Sequence, residues 1–534
     1  MQSPATNITS NLGFLATPRL ASALLFASIM LYSTILIIYP EYFYTDDCYF
    51  YFQIAYNFGN KMISTFNGVT LTNGYHPLWM LICSIIFALG ATKLLALHII
   101  ACLIIILNIA TIAIVSHLLS RLGFRYWHFS GAILIPFLFA TQLGSEGAIS
   151  ALFLSCLILS AVNMVELFSP RRFVWFNVIA ALAMLSRLDN VFVVSFVVFS
   201  VVIYLIRNKR LTELLPAMAY SVIIYVCLLG SYIATNIWYF GSPIPISGLI
   251  KASQSDPHAF GANIGNIGKA SIVLICLSFA IDRWFLRSPY GRFVLAPFGL
   301  GVLVHAAYIG FVMSNETRWA WYYTSWVILA SIVVGIGVNN IIAKLGCGLG
   351  LFKRFEPKIL GASLMVASVL PFIWAWPALE DKLQKSESLW IGAMERALTG
   401  VIGDGHPVRL MTFDYPGKIA YFSSMQVVAV DGLTCDLEFQ RELASNGINA
   451  YLSKHNINIF LGPQIPISEG GYDKLCRRLF SGSTKFTCSK EIDGGIYPVK
   501  VDVFSRVPPK NVGFVNLKQE NVIWAGEMTA YAIR

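Results

Sequence analysis

The sequence predicts a polytopic α-helical membrane protein of about eleven transmembrane helices, followed by a C-terminal external α/β domain. Three observations predict this fold class. The chain is 56% hydrophobic and 12% charged, which is about half the charge of an ordinary soluble domain. Apolar runs of roughly 17 to 25 residues, each long enough to cross a bilayer, recur up to residue 377. Beyond residue 377 the long apolar runs stop and acidic residues become frequent.

The first apolar run, Leu20 to Tyr39, is predicted to be a retained helix, because no small-residue cleavage site follows it. With the N-terminus inside, this helix delivers residues 40–76 to the outer face. The segment Pro77 to Gly90 is short for a span and is predicted to be a re-entrant or surface helix. Further spans are predicted at about 95–119, 129–143, 148–167, 174–186, 190–206, 213–238, 269–282, 293–313, 322–343 and 359–377.

Basic residues set the orientation of these spans. They gather in short gaps between apolar runs, as the positive-inside rule expects of cytoplasmic loops. The gaps contain Arg121 and Arg125, Arg171 and Arg172, Arg207 with Lys209 and Arg210, Arg283 with Arg287 and Arg292, and Lys344 with Lys353, Arg354 and Lys358. The net charge of +10 therefore reflects topology, and we expect no nucleic-acid partner. An odd number of spans leaves the C-terminus outside.

The chain divides at residue 377 into a membrane module, 1–377, and an external domain, 378–534. The second part holds 17 of the 28 acidic residues. Strand-like segments alternate there with helix-like sequence at Leu437–His455, which predicts an α/β domain; the strand-like segments are Val408–Phe413, Gln426–Val430, Ile457–Leu461 and Val499–Ser505. Of its cysteines, Cys476 and Cys488 are the better candidates for a disulfide, and Cys435 is then left over. No cysteine or histidine spacing predicts a metal site.

The acidic pair Asp46-Asp47 follows the first predicted helix within the external segment 40–76. Only eleven of the 28 acidic residues lie in residues 1–377, and two of them are adjacent here. Neighbouring carboxylates repel each other, which raises one pKa toward the value that suits a general base. The alternative is that the pair only caps the next helix, whose N-terminus favours negative charge.

Other polar residues fall on the same outer side of the predicted topology. Glu146 lies in a Gly-Ser-Glu-Gly turn, and Arg187 and Asp189 lie between two apolar runs. Charges near membrane depth are costly and are usually functional or paired. Arg187 is therefore either a ligand of a phosphate or carboxylate or half of a structural ion pair, and Glu146 is either functional or an ordinary acid at a helix start.

A rigid external loop runs from Asn236 to Lys251. Two prolines, Pro243 and Pro245, hold it extended, and Lys251 is a cation on the side where positive charge is rare. Farther on, Arg318 precedes an aromatic group that includes Trp321 and Tyr322. Lys251 is either a ligand of an anion or a solvated lysine, and the aromatic group is at least an interfacial anchor. Together with Arg187, these cations could stabilise a departing lipid phosphate.

These residues carry a resemblance to the GT-C superfamily of glycosyltransferases that use polyprenyl-phosphate sugars. The resemblance covers nearly the whole chain, and its motifs are the acidic pair, Gly74–Pro77, Ser145-Glu146, Arg187–Asp189, Phe240–Lys251, Arg318–Tyr323, Gly417–Ser423 and Val430–Leu433. Within the superfamily the chain is most similar to bacterial arabinofuranosyltransferases that use decaprenyl-phospho-arabinose, including enzymes that modify pilins.

The resemblance implies an inverting glycosyl transfer, of a pentose such as arabinofuranose or of a hexose, to a cell-envelope glycan or protein. It implies that Asp46 is the general base, with Asp47 tuning it or binding the acceptor. Lys251, Arg187 and Arg318 would bind the donor phosphate. The implied substrate-binding residues are Tyr75, His76, Glu146, Asp189, Asn236, Ser247, Trp321 and Tyr322.

The same resemblance implies a multi-pass protein of the bacterial inner membrane, with its active site and C-terminal domain on the periplasmic side. No cofactor or metal is required, and a divalent cation near the acidic pair stays open. A lipid or sugar transporter or flippase is the main alternative, although such proteins usually carry internal repeats, and none is evident here. A lipid-linked glycan ligase is a second alternative, separated only by the size of the transferred group.

Overall fold

The computed structural model describes residues 26–124, 128–140, 144–253, 264–282, 284–313, 319–348, 387–402, 406–412, 415–429 and 433–439, and short segments after them (441, 451, 454–457, 459–463, 487–488, 499–500, 504–505 and 528–533). Six helices in this part of the chain are long and apolar enough to cross a membrane: Lys93–Arg121, Gly147–Glu166, Leu188–Arg207, Leu211–Phe240, Gly291–Phe311 and Ala320–Ile341. The protein is therefore a helical membrane protein, as the sequence predicts.

Shorter apolar helices accompany the six; they are Phe26–Ile38, Pro77–Ala88, Phe129–Phe139 and Asn266–Ala280. Pro77–Ala88 has 12 residues, about 18 Å of helix, which is shorter than a bilayer core. Pro170–Ser186 has 17 residues and begins with Ser169 as its N-cap and a proline in its first turn. The predicted span 359–377 lies outside the described residues, so the count of about eleven stays a prediction.

The helices pack as one bundle around a continuous apolar core. Gly147–Glu166 contacts both Lys93–Arg121 and Pro170–Ser186, while Ala296–Phe311 packs along Val191–Arg207. The last pair approaches closely at Gly301, where a Cβ would lie 2.6 Å from the Val193 Cα. Glycine at this position therefore lets the two helix backbones meet.

The helix Asp46–Lys61 begins with the acidic pair in its first turn, as the capping alternative expects. It packs against Pro77–Ala88 on one side and against a seven-residue helix of the C-terminal region, Pro416–Phe422, on another. The long helix Leu211–Phe240 contains two π-helical turns, Val226–Gly230 and Asn236–Phe240. It ends at Gly241, from which the proline-rich loop leads into the short helix Ile246–Ser253.

The described strands of the C-terminal region form a mixed sheet. Arg409–Thr412 lies between Gln426–Ala429 and Ile459–Pro463, and it is parallel to both. Met528–Ile533 pairs antiparallel with Ile459–Pro463 and with the short strand Phe504–Ser505. Two further short strands, Thr487–Cys488 and Val499–Lys500, form a separate two-stranded ladder.

The predicted strands at 408–413, 426–430 and 457–461 thus correspond to strands, whereas Met528–Ile533 was not predicted from the sequence. Cys476 and most of the helix-like segment 437–455 lie outside the described residues. The helix Glu387–Ile402 and the sheet share an apolar cluster with the membrane module: Ile391, Leu398, Leu410, Ile419 and Val427 lie in one cluster with Phe50, Ile54, Phe66, Tyr75 and Met80. The C-terminal region is therefore docked on the helix that carries the acidic pair.

Candidate active site

A cavity of about 220 Å³ lies where several interhelical loops meet. Charged and polar groups line part of its wall, and apolar side chains line the rest. The polar part is formed by His76, Arg187, Asp189, Ser247, Lys251, Tyr308 and Tyr322, and the apolar part by Leu188, Val191, Phe192, Ile244, Pro245, Ile309 and Met313. The cavity therefore suits a ligand that has an anionic group attached to an apolar chain.

Arg187 is the centre of an ion-pair network beside this cavity. Its Nε and Nη2 donate to the two oxygens of Asp189, each at 2.8 Å, and its Nη1 donates to Glu146 Oε1 at 2.7 Å. Nη1 also donates to the carbonyl of Trp321 at 2.9 Å. Burial of the guanidinium opposes its charge, but Asp189 and Glu146 outweigh this effect and raise the pKa of Arg187. The side chain is therefore a buried cation held by two carboxylates.

The network sits on a tight turn between two helices. Pro170–Ser186 ends at Arg187, whose backbone is extended, and a single 3₁₀ turn, Leu188–Asn190, leads directly into the next helix. Asn190 fixes this turn by donating to the Ser150 hydroxyl and to the Ala183 carbonyl, both at 2.9 Å. The turn leaves Arg187 and Asp189 close enough for the two-pronged contact that guanidinium and carboxylate favour.

His76 joins the network from the loop before Pro77–Ala88. Its Nδ1 accepts the backbone N–H of Leu188 at 3.2 Å, so the ring proton is on Nε2, which lies 3.6 Å from Glu146 Oε1. Burial lowers the pKa of His76 further than the nearby Glu146 can raise it. His76 is therefore neutral at pH 7 and presents an N–H toward Glu146.

Lys251 reaches the cavity from the proline-rich loop. Its Nζ donates to the Tyr322 hydroxyl at 2.5 Å, and the Tyr322 ring also lies 4.5 Å from the Arg187 guanidinium carbon. The loop is held in place by Asn73, whose Oδ1 accepts the N–H of Ile246 at 3.0 Å. The ammonium of Lys251 and the hydroxyl of Tyr322 therefore stand side by side on the cavity wall.

The structure thus brings together most of the residues that the sequence singled out. His76, Arg187, Asp189, Ser247, Lys251 and Tyr322 line the cavity, and Glu146 supports it through Arg187. Trp321 contributes its backbone carbonyl, while its ring stacks on Trp319 with 5.4 Å between ring centroids. Arg318 lies outside the described residues.

Two predicted substrate-binding residues support the surrounding loops and do not line this cavity. Tyr75 is buried, and its hydroxyl lies 2.7 Å from the Ser64 hydroxyl. Asn236 is also buried and accepts a hydrogen bond from Asn73 at 3.2 Å. The contact between Tyr75 and Ser64 lies within the loop that precedes His76. The contact between Asn236 and Asn73 joins this loop to the end of the long helix that leads into the proline-rich loop. The role of Tyr75 and Asn236 as direct substrate ligands stays a prediction.

The two aspartates of the acidic pair have different surroundings. Asp46 accepts the backbone N–H groups of Gly417 at 3.1 Å and Lys418 at 2.8 Å, one on each carboxylate oxygen. The approach is so close that a Cβ on Gly417 would lie 2.3 Å from the Asp46 carbonyl oxygen. Asp46 therefore binds the start of the helix Pro416–Phe422, 371 residues later in the chain.

Asp47 shares a helix face with Tyr51, one turn later. The Tyr51 hydroxyl accepts the backbone N–H of His76 at 3.1 Å and hydrogen-bonds Glu146. The face that carries Asp47 is therefore turned toward the Arg187 network. Burial raises the pKa of the Cys48 thiol, the next residue after Asp47, and the negative charges of Asp47 and Glu146 raise it further. Neither aspartate is among the described residues that line the cavity itself.

The contact between Asp46 and Pro416–Phe422 is expected to weaken as the pH rises. Burial raises the pKa of Asp46 to about 7, although the two backbone N–H groups partly oppose it. A carboxyl whose pKa is higher in the docked state than in water favours docking when protonated, so its contribution is lost as the pH rises through about 7. Hydrogen–deuterium exchange of residues 416–422 should be faster at pH 8 than at pH 6, after correction for intrinsic rates.

Asp46→Asn should remove this difference, because the amide does not titrate. Glu213→Gln is the matched control, since Glu213 pairs with Arg210 at an exposed position far along the chain. An equal pH difference in wild type and Asp46→Asn would contradict the assignment to Asp46.

Sequence reasoning missed four residues of this region: Tyr51, Asn73, His305 and Trp326. His305 is buried and its Nε2 lies 3.2 Å from Asp189 Oδ2, while Trp326 donates to His305 Nδ1 at 3.1 Å. An ionisable residue within an apolar span is a signal of function or pairing, and it could have indicated His305. Tyr51 and Asn73 lie in aromatic or polar sequence that gives no comparable signal.

Among the described residues, no group of three or more histidine, cysteine, aspartate or glutamate side chains could hold a metal ion. In comparisons with known proteins, no family model matches the sequence and no curated protein matches it. The resemblance to GT-C glycosyltransferases therefore stays a prediction, and the function of the protein has to be inferred from the geometry of the site.

Proposed function

We propose that this protein is a membrane glycosyltransferase of the GT-C type, which transfers a sugar from a polyprenyl phosphate to an acceptor hydroxyl. The observation that carries the proposal is the cavity that Lys251 and Tyr322 line together with apolar residues such as Ile309 and Met313. A lipid-linked phosphodiester has an anionic phosphate for the polar side chains and an apolar chain for the apolar ones. The proposal includes about eleven spans, an external C-terminal domain and an active site on the outer face of a bacterial inner membrane.

Lys251 and Tyr322 are the proposed ligands of the donor phosphate. The ammonium and the hydroxyl already contact each other at 2.5 Å, so both can approach one phosphate oxygen group. Arg187 has a different role in this proposal, because four of its five N–H bonds are engaged by Asp189, Glu146 and Trp321. It orients Tyr322 through the contact with its ring and offers the phosphate at most one further donor.

The proposed base is Asp47, with Asp46 as its structural neighbour. This exchanges the roles that the resemblance implies, because both oxygens of Asp46 accept backbone N–H groups, whereas Asp47 lies on the Tyr51 face. Asp47 takes the proton of the acceptor hydroxyl, the acceptor oxygen forms a bond to the anomeric carbon, and the bond from that carbon to the phosphate oxygen breaks. The polyprenyl phosphate leaves with the bonding electron pair, and Lys251 stabilises its added charge.

The donor is tested with purified protein in lipid nanodiscs and synthetic donors. Release of polyprenyl phosphate and sugar transfer to short glycan acceptors are measured with decaprenyl-phospho-arabinofuranose and with a polyprenyl-phospho-hexose. We expect transfer with at least one of them, and we expect Lys251→Gln to weaken donor binding by about 10- to 100-fold, the value of a hydrogen bond to a charged group.

Lys61→Gln is the matched control, because Lys61 is exposed at the end of the helix that carries the acidic pair. Donor binding equal in wild type and Lys251→Gln would contradict the phosphate site. Movement of a labelled polyprenyl-phospho-sugar across proteoliposomes, without release of polyprenyl phosphate, would instead favour the flippase. Transfer that occurs only with a preassembled glycan on the lipid would favour the ligase.

A further inference from the structure

A layer of aromatic and ionic groups lies behind the cavity wall. Trp326, on the helix Thr324–Gly348, and His305, on Ala296–Phe311, are both buried. The Trp326 indole donates to His305 Nδ1 at 3.1 Å. Because an indole N–H can only donate, Nδ1 must accept, and the ring proton of His305 is on Nε2.

The Nε2–H of His305 is directed to the region of Asp189. The distance from Nε2 to Asp189 Oδ2 is 3.2 Å, but the N–H is not aligned well enough for a regular hydrogen bond. The contact is therefore an electrostatic one between a neutral N–H and a carboxylate. Close packing at Gly301, one turn before His305, is what brings this helix within reach of the turn that carries Asp189.

Asp189 connects His305 to the cavity. It binds Arg187 through both oxygens, and Arg187 stacks against the Tyr322 ring, whose hydroxyl contacts Lys251. Each link joins two side chains that are buried or line the cavity. Asp189 and Arg187 therefore link His305 to the proposed phosphate ligands.

We propose that His305, with its tautomer fixed by Trp326, is a positioning residue that holds Asp189, and through it Arg187, in the orientation that presents Tyr322 and Lys251 to the cavity. The part that concerns ligand binding rests on the proposed glycosyltransferase function. His305 is not among the described residues that line the cavity, so it acts through Asp189.

The tautomer of His305 is what matters in this arrangement. The Trp326 N–H is aimed at Nδ1, so that nitrogen can only accept, and the N–H of the ring stays on the side of Asp189. The charged and titratable groups around the ring are Asp189 and Arg187 on the neighbouring turn and Tyr308 on its own helix, with Phe192 stacked 5.8 Å from the ring centroid.

Trp326→Phe removes the donor to Nδ1 and is therefore the informative change. It should allow His305 to adopt the other tautomer, which turns a lone pair instead of an N–H toward Asp189. The probe is a decaprenyl methyl phosphodiester in nanodiscs. We expect the variant Kd to be about tenfold higher than the wild-type Kd, the value of a hydrogen bond to a charged group.

Two further variants make the assignment specific. Trp326→Phe combined with His305→Gln should restore most of the affinity, because glutamine can still donate toward Asp189 and has no second tautomer. Trp284→Phe is the matched control, since Trp284 is a partly buried tryptophan that packs against Phe124. Its Kd should equal that of the wild type.

A ligand-free measurement separates this inference from the proposed function. Nitrogen-15 spectra of labelled histidine and arginine should show His305 with its proton on Nε2 in wild type, and a population with the proton on Nδ1 in Trp326→Phe. The Arg187 Nε signal should shift in the same variant. If the probe fails to bind wild type, the donor proposal is wrong while these spectra still decide the role of His305.

An Arg187 signal that does not move when the tautomer of His305 changes would overturn the inference, and so would a Kd that stays raised in the double variant. A wild-type His305 with its proton on Nδ1 would also overturn it.

Discussion

Asp47→Asn is expected to reduce sugar transfer by about 10²- to 10⁴-fold, the usual contribution of a general base. The asparagine keeps the size of the side chain, but it cannot take a proton from the acceptor hydroxyl. Binding of the lipid donor should be unchanged, because the proposed phosphate ligands are Lys251 and Tyr322. The measurement is single-turnover transfer from a donor that the wild type uses, together with a separate donor-binding titration.

Asp46→Asn is the matched control, since it makes the same chemical change at the next position. We expect it to retain most of the transfer activity at pH 7, because Asp46 binds the backbone of Gly417 and Lys418. The reverse result, with transfer lost in Asp46→Asn and kept in Asp47→Asn, would restore the role that the family resemblance implies for Asp46. Equal loss in both would indicate that the pair acts as one unit.

Arg187→Gln is expected to destabilise the folded protein by about 3–5 kcal/mol, the cost of removing one partner from a buried ion pair. The side chains of Arg187 and Glu146 are only 2% and 4% exposed, so the loss leaves Glu146 and Asp189 as buried charges without their main partner. The measurement is unfolding of the purified protein in detergent by heat or by increasing denaturant. Expression of monodisperse protein should fall with it.

Arg121→Gln is the matched control. Arg121 pairs with Glu166, but these side chains are 36% and 25% exposed, so we expect a loss of about 0–1 kcal/mol. Adding Glu146→Gln and Asp189→Asn to Arg187→Gln should restore part of the stability, because the buried charges are then gone. If Arg187→Gln were as stable as Arg121→Gln but failed to bind donor, Arg187 would be a ligand of the phosphate rather than a structural cation.

The membrane character of the chain and most of its candidate residues could be predicted from the sequence. An apolar run long enough to span a bilayer is a local property, and so is a charged residue that interrupts such runs. That is why Glu146, Arg187, Asp189 and Lys251 stood out, whereas Tyr322 stood out as part of an aromatic group after Arg318. The structure brings these five residues into one region. Their catalytic and binding roles remain proposals.

The partners of the Arg187 side chain could not be predicted in the same way. The sequence left open whether Arg187 binds a ligand or a carboxylate, because both need the same residue at the same place. In the structure Arg187 donates hydrogen bonds to two carboxylates, those of Asp189 and Glu146, and Glu146 lies 41 residues earlier in the chain. His305 was missed for a related reason: its partner Asp189 becomes a neighbour only when two helices meet at Gly301.

The acidic pair shows most clearly where sequence reasoning ends. The sequence alone determined that two carboxylates stand together at the start of a helix after the first apolar run. Consecutive residues on a helix point about 100° apart, so the two side chains must face different surroundings. Only the tertiary structure decided which surroundings these are: Asp46 meets the helix Pro416–Phe422, and Asp47 shares a helix face with Tyr51, whose hydroxyl hydrogen-bonds Glu146. The physical reason is that each environment is supplied by chain segments far away in sequence, whose positions depend on the packing of the whole bundle.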